Sequence, residues 1–486
     1  MSRFPKILLR ASRFLLLAAI ALATAIAAGC GSGPSMTGPV LRGNTTVVVL
    51  LSSTANDQLS QFNVSFNSLI LTSQSGKVVN LFTTPQKAEF MHLNGSAEPL
   101  TTVSIPEDVY TAASATMQSP QVSCVTLLQT GGLESDEFQS GSTPAASVSV
   151  PSPITVTGTA VGLLLNLQVS QSVTPANCPL TSSNPSITPT FTLTPVTLAS
   201  PPTNVQNGKM TSLVGLISSI NATTNSFTVT AADGPTWSVQ STNSTAYQGV
   251  AAFSTLVAGM PVGMDVSIQE DGSLLALRVA VQDANPTDLS VVSGPLLFVA
   301  SSEPALLTFE QEAQGLLFPP GLISSAFNFS FGNAVYQISG QFTNLQSLPF
   351  SPMLNAATIV AGQNVSVTAH ALALAGGPTF VPATTITLMP QTINGTVTAV
   401  GSEGSFTTYT VSLAAYDLIP ALAVQPGQTT TATNPSNVVV YVDSNTQLLN
   451  TKQLAVGTVS RFNGLLFNDN GTLRLDCAQV NDGVPE

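Results

Sequence analysis

Residues 262–281 read VGMDVSIQEDGSLLALRVAV, and the period of this stretch decides the fold class. Val262, Met264, Val266 and Ile268 alternate with Gly263, Asp265, Ser267 and Gln269. A period of two is that of a β-strand with one face on a core and one in water. Glu270-Asp271-Gly272 marks a hairpin turn, where glycine accepts a positive φ. Leu275, Leu277, Val279 and Val281 then return along the same face. Upstream, Phe227 and Val229, a turn at Asp233-Gly234, and Trp237 and Val239 predict a second hairpin. About five short strands of this kind suit a small barrel of the OB type or a small sandwich.

The unit recurs along the chain, which places it among repeat architectures. LVGLISSI, VSGPLLFV and INGTVTAV open three segments, aligned on Gly215, Gly294 and Gly395. Two residues on stand Ile217, Leu296 and Val397. LVAGMPVGMDV, TIVAGQNVSVTA and QLAVGTVSRF follow, aligned on Gly259, Gly362 and Gly457, and each segment closes in a β-like run. The openings are 79 and 101 residues apart (294 − 215 and 395 − 294), so the middle copy carries an insertion. The expected modules span 211–284, 290–390 and 391–482.

Ahead of them, residues 44–198 alternate in shorter runs, among them TTVVVLL, FNVSFNSLIL and VGLLLNLQV. Their number and spacing predict a β-sandwich. The Pro-rich, polar stretch that follows predicts a linker at 199–210. The whole chain therefore reads as all-β: one sandwich and then three small barrel or sandwich-like modules.

The N-terminus carries a different signal. Arg3, Lys6, Arg10 and Arg13 form a basic region before a short apolar core, Phe14 to Ile26, that falls short of the roughly 20 residues a spanning helix needs. Ala27-Ala28-Gly29-Cys30 resembles the lipobox of bacterial lipoproteins, with Ala27 where that motif usually has Leu. The resemblance implies a signal peptide over 1–29, acylation of Cys30, a flexible tether over 30–43 and an address at the outer membrane or cell surface. Gly31 stands where an Asp would retain such a protein at the inner membrane.

The chain has 486 residues, 12 Lys and Arg against 24 Asp and Glu, and only 7% charged residues. Removing the four basic residues of the signal leaves 8 against 24, a charge of −16. Nucleic acid is excluded as a partner, because phosphate binding needs a basic patch. The lipid is then the membrane contact, and a surface protein or a glycan is the expected partner. No cofactor is expected. Of the cysteines beyond Cys30, Cys124 and Cys178 are candidates for a disulfide in an oxidising envelope, worth roughly 4 kcal/mol for a loop of about fifty residues. Cys477 aligns with Val279 and is expected as a buried thiol.

Residues 47–82, with VSIPEDVYTAASATM at 103–117, resemble the bacterial family catalogued as domain of unknown function 4382. The modules resemble domain of unknown function 5666, through the G-x-I opening, the TVTAADG hairpin and the AGMPVGMDV…DGSLLALRV close. Neither family carries an agreed activity. The resemblance implies extracytoplasmic lipoproteins, in line with Cys30.

Catalytic chemistry is sparse, and no catalytic residue is assigned. The chain has two histidines. His370 follows Val365, Val367 and Ala369 on the opposite, solvent face, while apolar neighbours on both sides leave the face of His92 open. No nucleophile elbow appears, and metal sites of the His/Cys kind lack ligands. Glu134, Asp136 and Glu137, in GGLESDEFQSG, offer hard oxygens for Ca²⁺, against the preferred reading of a solvated acidic loop. Asn468-Asp469-Asn470-Gly471 reads as a hairpin turn. Glu310 and Glu312 share one side of a strand, which gives proximity rather than the opposition a glycosidase needs. Trp237 is expected in a core, and Tyr409, Tyr416 and Tyr441 are candidates for a groove. The expected role is non-catalytic, in binding or structure at the cell surface. A carbohydrate-binding accessory protein and a hydrolase with an unrecognised site are the alternatives. Intact mass of the membrane-extracted protein is expected to start at Cys30 plus acyl chains, and Cys30→Ala to abolish both the added mass and membrane association; an uncut or lipid-free chain would refute this reading.

Overall fold

In the computed structural model, residues 41 and 43–483 are described apart from 55–58, 119, 128–132, 140–145, 175–185, 197, 199–211, 270, 301–304, 310–311, 316–325, 343, 371–380 and 449–453. The expected signal peptide, Cys30, Cys178 and the linker lie outside the described residues.

The first region supplies β1 (Asn44–Ser53), β2 (Leu59–Ser73), β3 (Val78–Asn80), β4 (Gln86–Glu89), β5 (Glu98–Pro106), β6 (Asp108–Met117) and β7 (Gln121–Leu127). It continues with β8 (Leu133–Gln139), β9 (Ser147–Ser149), β10 (Ile154–Val156), β11 (Ala160–Leu167), β12 (Val173–Thr174), β13 (Ser186–Ile187) and β14 (Thr190–Val196). One sheet has the order β5-β1-β11-β14-β9, and the other the order β10-β6-β2-β7-β8 with β3 and β4 also on β2. Val47, Val49 and Leu51 of the first sheet meet Phe62, Val64 and Phe66 of the second in a shared core. The opposite face of β1 is buried too. Val48 and Leu50 belong to the core of the next domain, which is why TTVVVLL runs apolar without alternating. Cys124 is disulfide-bonded.

Glu134, Asp136 and Glu137 were expected in a loop but lie in β8, in register with Thr126, Cys124 and Ser123 of β7. Extended, laddered backbone lacks the turns with which a calcium loop gathers its oxygens.

The first barrel is built from β15 (Ser212–Asn221), β16 (Ser226–Thr230), β17 (Thr236–Gln240), β18 (Ala246–Gln248), β19 (Pro261–Ile268) and β20 (Leu274–Val281). The order is β17-β16-β15-β19-β20, and β17 closes it by pairing in parallel with β20. That is the strand order of an OB-type barrel. β18 adds to the outer edge of β20.

The second barrel uses β21 (Leu289–Val299), β22 (Ala305–Phe309), β23 (Glu312–Gly315), β24 (Ala326–Ser330), β25 (Val335–Ile338), β26 (Asn364–His370), β27 (Val381–Pro382) and β28 (Thr385–Leu388). It repeats the order, with the fifth strand split: β24 pairs in parallel with β27, and β26 pairs antiparallel with β28. The third barrel, β29 (Gln391–Glu403), β30 (Phe406–Leu413), β31 (Asn437–Val442), β32 (Gln447–Leu448), β33 (Val459–Asp469) and β34 (Thr472–Asp482), closes through parallel β31 and β34.

The shared motif is a reciprocal pair of backbone hydrogen bonds. The amides of Gly259, Gly362 and Gly457 donate to the carbonyls of Ile217, Leu296 and Val397 at 2.7, 2.8 and 2.8 Å. Ile217, Leu296 and Val397 donate back to Met260, Gln363 and Thr458. Each glycine has a φ near +90°, a conformation that costs other residues. Just past each contact the first strand bulges, between Ile217 and Ser219, Leu296 and Phe298, and Val397 and Ala399.

Two details of the sequence reading change. A β-bulge pairs Val266 with Ala276 but Asp265 with Arg278. The extra residue shifts the phase of β20, so Leu274 and Ala276, not Leu275 and Leu277, join Val279 and Val281 in the core. The third barrel bulges at the matching place, between Asn463 and Gly464, where Gly464 faces Cys477. Cys477 therefore corresponds to Ala276 rather than Val279. It is free and buried, and burial pushes its thiol pKa far up. Asn470 and Gly471 both take positive φ in a two-residue turn between Asp469 and Thr472.

The domains touch in a closed circuit within the unit Gly43–Glu486. Trp237 Nε1 of the first barrel donates to Pro99 O of the sandwich at 2.7 Å. Gln341 Nε2 of the second barrel donates to Asp265 Oδ1 of the first at 2.8 Å. Gln363 Nε2 donates to Leu466 O of the third at 2.9 Å, and Arg461 Nη1 of the third returns to Ser53 O of the sandwich at 3.0 Å. Asp265, expected on a wet face, is fully buried because the second barrel covers it.

The two kinds of glycine in the repeat are separable by urea unfolding. A Cβ at Gly395 would lie 2.2 Å from Ser412 O, while one at Gly457 meets open space at a φ of +88°. Gly457→Ala is expected to cost about 1–2 kcal/mol through backbone strain, and Gly395→Ala about 3 kcal/mol or more through the clash. Equal midpoints for the two variants would contradict this account.

Candidate functional site

Two places combine unusual side-chain chemistry with a junction between domains. The first is a cleft of about 640 Å³ between the first and second barrels. Its floor and walls carry Gln248 from β18, Tyr336, Gln337 and Ile338 from β25, and Met353 and Leu354 from the connection that leads to β26. That connection carries more than half of the extra length of the middle copy. Residues 339–363 separate β25 from β26, whereas 249–260 separate β18 from β19. Met353 is 47% exposed. No carboxylate, ammonium or guanidinium lines the cleft among the described residues.

The wall contains polar groups that folding leaves unmatched. Tyr336 Oη and Thr387 Oγ1 are buried without a hydrogen-bond partner, at a typical cost of about 1–3 kcal/mol each. Burial pushes the Tyr336 phenol up to about 12, so it stays a neutral donor and acceptor. Both walls are also sheet edges: β25 pairs only with β28 and β18 only with β20 among the described residues.

The second place is a cluster around His92. After β4 the chain makes one turn of 3₁₀-helix, Met91–Leu93, and Glu89 caps it. Glu89 Oε1 accepts from the amides of Phe62 at 2.9 Å and Met91 at 2.8 Å. Glu89 Oε2 accepts from the His92 amide at 3.2 Å and stands 2.9 Å from His92 Nδ1. His92 Nε2 faces Glu98 Oε2 of β5 at 3.4 Å. Asp233, in the β16–β17 turn, brings its Oδ2 to the Glu89 amide at 3.0 Å. His92, Glu98 and Asp233 offer ligand atoms that lie within 4.8 Å of one another. On its own side His92 also borders a cavity of about 100 Å³ where the sandwich meets the second and third barrels.

His370 is half-buried rather than on an open face. Its Nε2 stands 3.1 Å from Asp283 Oδ2 and its Nδ1 2.7 Å from Thr287 O. Ser366 and Thr368, on the same face, are fully buried. The alternation holds, but the second face is covered by the first barrel, where Ser366 Oγ donates to Gln282 Oε1 at 2.8 Å. Trp237 is 4% exposed, in the core of the first barrel. Tyr409 and Tyr441 are buried rather than lining a groove, and Tyr416 Oη accepts from Asn394 Nδ2 at 2.5 Å. Glu310 lies outside the described residues, and Glu312 opens β23.

Neither place is announced by a motif in the sequence. The His92 cluster joins Glu89, Glu98 and Asp233 across 144 residues, with no motif spacing to announce it. The cleft had one signal, the extra length of the middle copy. No helix among the described residues is long and apolar enough to cross a membrane. No family model matches the chain, and no curated protein matches it.

Glu89→Ala would leave three backbone amides and an imidazole without their acceptor. Thermal or urea unfolding is expected to show a loss of about 3 kcal/mol or more, against under about 0.5 kcal/mol for the exposed Val78→Ala; similar losses for both would refute the capping role.

Proposed function

We propose that the chain is a lipid-anchored, non-catalytic binding protein of the cell envelope, and that the cleft between the first and second barrels receives its partner. The anchor rests on the basic N-terminal region, the short apolar core and Cys30. The observation that carries the binding role is the cleft itself. Its volume falls within the roughly 300–1,000 Å³ of binding pockets, and its lining is uncharged.

The partner best suited to it is an extended, uncharged segment of a surface protein. An exposed strand edge recruits such a segment by adding a strand, with backbone hydrogen bonds supplying affinity and side-chain pockets specificity. Met353, with its flexible thioether, adapts to apolar side chains of several shapes. The amides of Gln248 and Gln337 match peptide groups. A glycan would instead call for exposed aromatic rings, and Trp237, Tyr409 and Tyr441 are buried.

A photo-reactive residue at Met353, introduced in the intact envelope, is expected to cross-link a single surface protein, while the same probe at exposed Val456 on the third barrel gives none. Gln248→Arg, which puts a charge in the cleft, is expected to abolish the adduct. Equal labelling from both positions, or an adduct indifferent to Gln248→Arg, would overturn the assignment.

A further inference from the structure

We propose that His92, Glu98 and Asp233 form a binding site for a first-row divalent metal ion, Zn²⁺ in type, which clips the first barrel to the sandwich. The three ligands come from three segments: the 3₁₀ turn after β4, the start of β5, and the tip of the β16–β17 hairpin. One nitrogen and two carboxylate oxygens are a donor set for Zn²⁺, which takes imidazole and carboxylate with a water in the fourth position. Ca²⁺ prefers an all-oxygen shell.

The second shell is already in place. Metal-bound histidines donate their other ring N–H to a carboxylate that fixes the tautomer. Glu89 does this for His92: its carboxylate accepts from two backbone amides besides that of His92, so it is held as an acceptor, and Nδ1 lies 2.9 Å from it. The Nδ1 proton is thereby assigned to Glu89, and the Nε2 lone pair turns toward Glu98. The backbone amide of the same Glu89 holds Asp233 Oδ2 at 3.0 Å. One residue orients two of the three ligands.

Glu98 is the independent observation. Its side chain is 6% exposed, and its Oε1 is buried without any hydrogen-bond donor. A carboxylate in that setting demands a cation or a proton. His92 Nε2 stands 3.4 Å from Oε2, but with the ring proton on Nδ1 it offers that oxygen a lone pair and no donor. A metal among the three groups satisfies Glu98, neutralises two neighbouring carboxylates, and leaves Glu89 as it stands. Bond lengths of about 2.0–2.2 Å ask the ligand atoms to close by about 1 Å from their 4.8 Å limit, within reach of side-chain rotation. The clip would act where Trp237 already bonds Pro99.

The test is titration of the full chain, stripped with chelator, by Zn²⁺ and separately by Ca²⁺, read by calorimetry and by thermal unfolding. Wild type is expected to bind one equivalent of Zn²⁺ and to melt higher with it. Glu98→Gln and Asp233→Asn are expected to weaken binding tenfold or more and to lose the shift in melting temperature. His370→Gln, which removes the other histidine, is expected to bind as wild type does. Circular dichroism establishes that each variant is folded. Asp233→Asn keeps a side-chain oxygen to accept from the Glu89 amide, so it reports on the site even where Glu98→Gln fails to fold. Zn²⁺ bound equally well by Asp233→Asn, no stoichiometric binding, or a site that takes Ca²⁺ in preference to Zn²⁺ would each overturn the proposal. None of these outcomes depends on the cleft or its partner.

Discussion

The reciprocal hydrogen bonds between the first strand of each barrel and the glycine turn before its fourth strand are the constraint on which the architecture depends. They join Gly259 to Ile217, Gly362 to Leu296 and Gly457 to Val397. At each junction the turn must take a positive φ to aim its amide at the first strand, and glycine alone does so without strain. The bond sets where the fourth strand begins to pair, and the adjacent bulge bends the first strand so that it serves two neighbours. Closure follows, because the bent strand brings the third strand round to the fifth. Closure also pairs the edges of the five barrel strands, which in isolated sheets are prone to aggregate, and leaves edges at the added strands β18 and β25.

Closed barrels with few charges must still be held to one another. The chain does this with polar outer faces that are buried rather than wet. Ser366 and Thr368 meet Gln282 and Asp283, Gln341 meets Asp265, and Gln363 reaches Leu466. A fully buried Asp265 is tolerable only with such partners, and the nearby Arg278, whose own pKa burial lowers, is held electrostatically beside it. Both histidines serve the same end. His370 ties the second barrel to Asp283 of the first, and His92 sits where the first barrel's hairpin meets the sandwich. The circuit closes back on the sandwich through Arg461, so the four domains constrain one another rather than extend as a chain of independent beads.

The same packing creates the departures from regularity. Where the middle copy lengthens the connection before its fourth strand, that connection lines the cleft beside the first barrel. Where the sandwich receives a foreign hairpin, Glu98 is enclosed with one oxygen unmatched. Both are places where local satisfaction of polar groups was given up, which is how binding sites commonly differ from scaffold.

The sequence by itself determined the strand periodicity, the turns at Asp271-Gly272 and Asn470-Gly471, the threefold repeat and the core placement of Trp237, because each depends on neighbours within a few residues. It left the choice between barrel and sandwich open, since alternation records that one face is buried without saying how the sheet closes. Leu274 and Ala276 face inward because of a bulge, a register event set by the partner strand. The second faces of β19 and β26 look solvent-exposed in composition, with Asp265, Ser366 and Thr368, and only the tertiary structure shows them covered by hydrogen-bonding neighbours. His92, Glu98 and Asp233 are brought together by the docking of one domain on another, and no local spacing encodes a contact that domain packing creates.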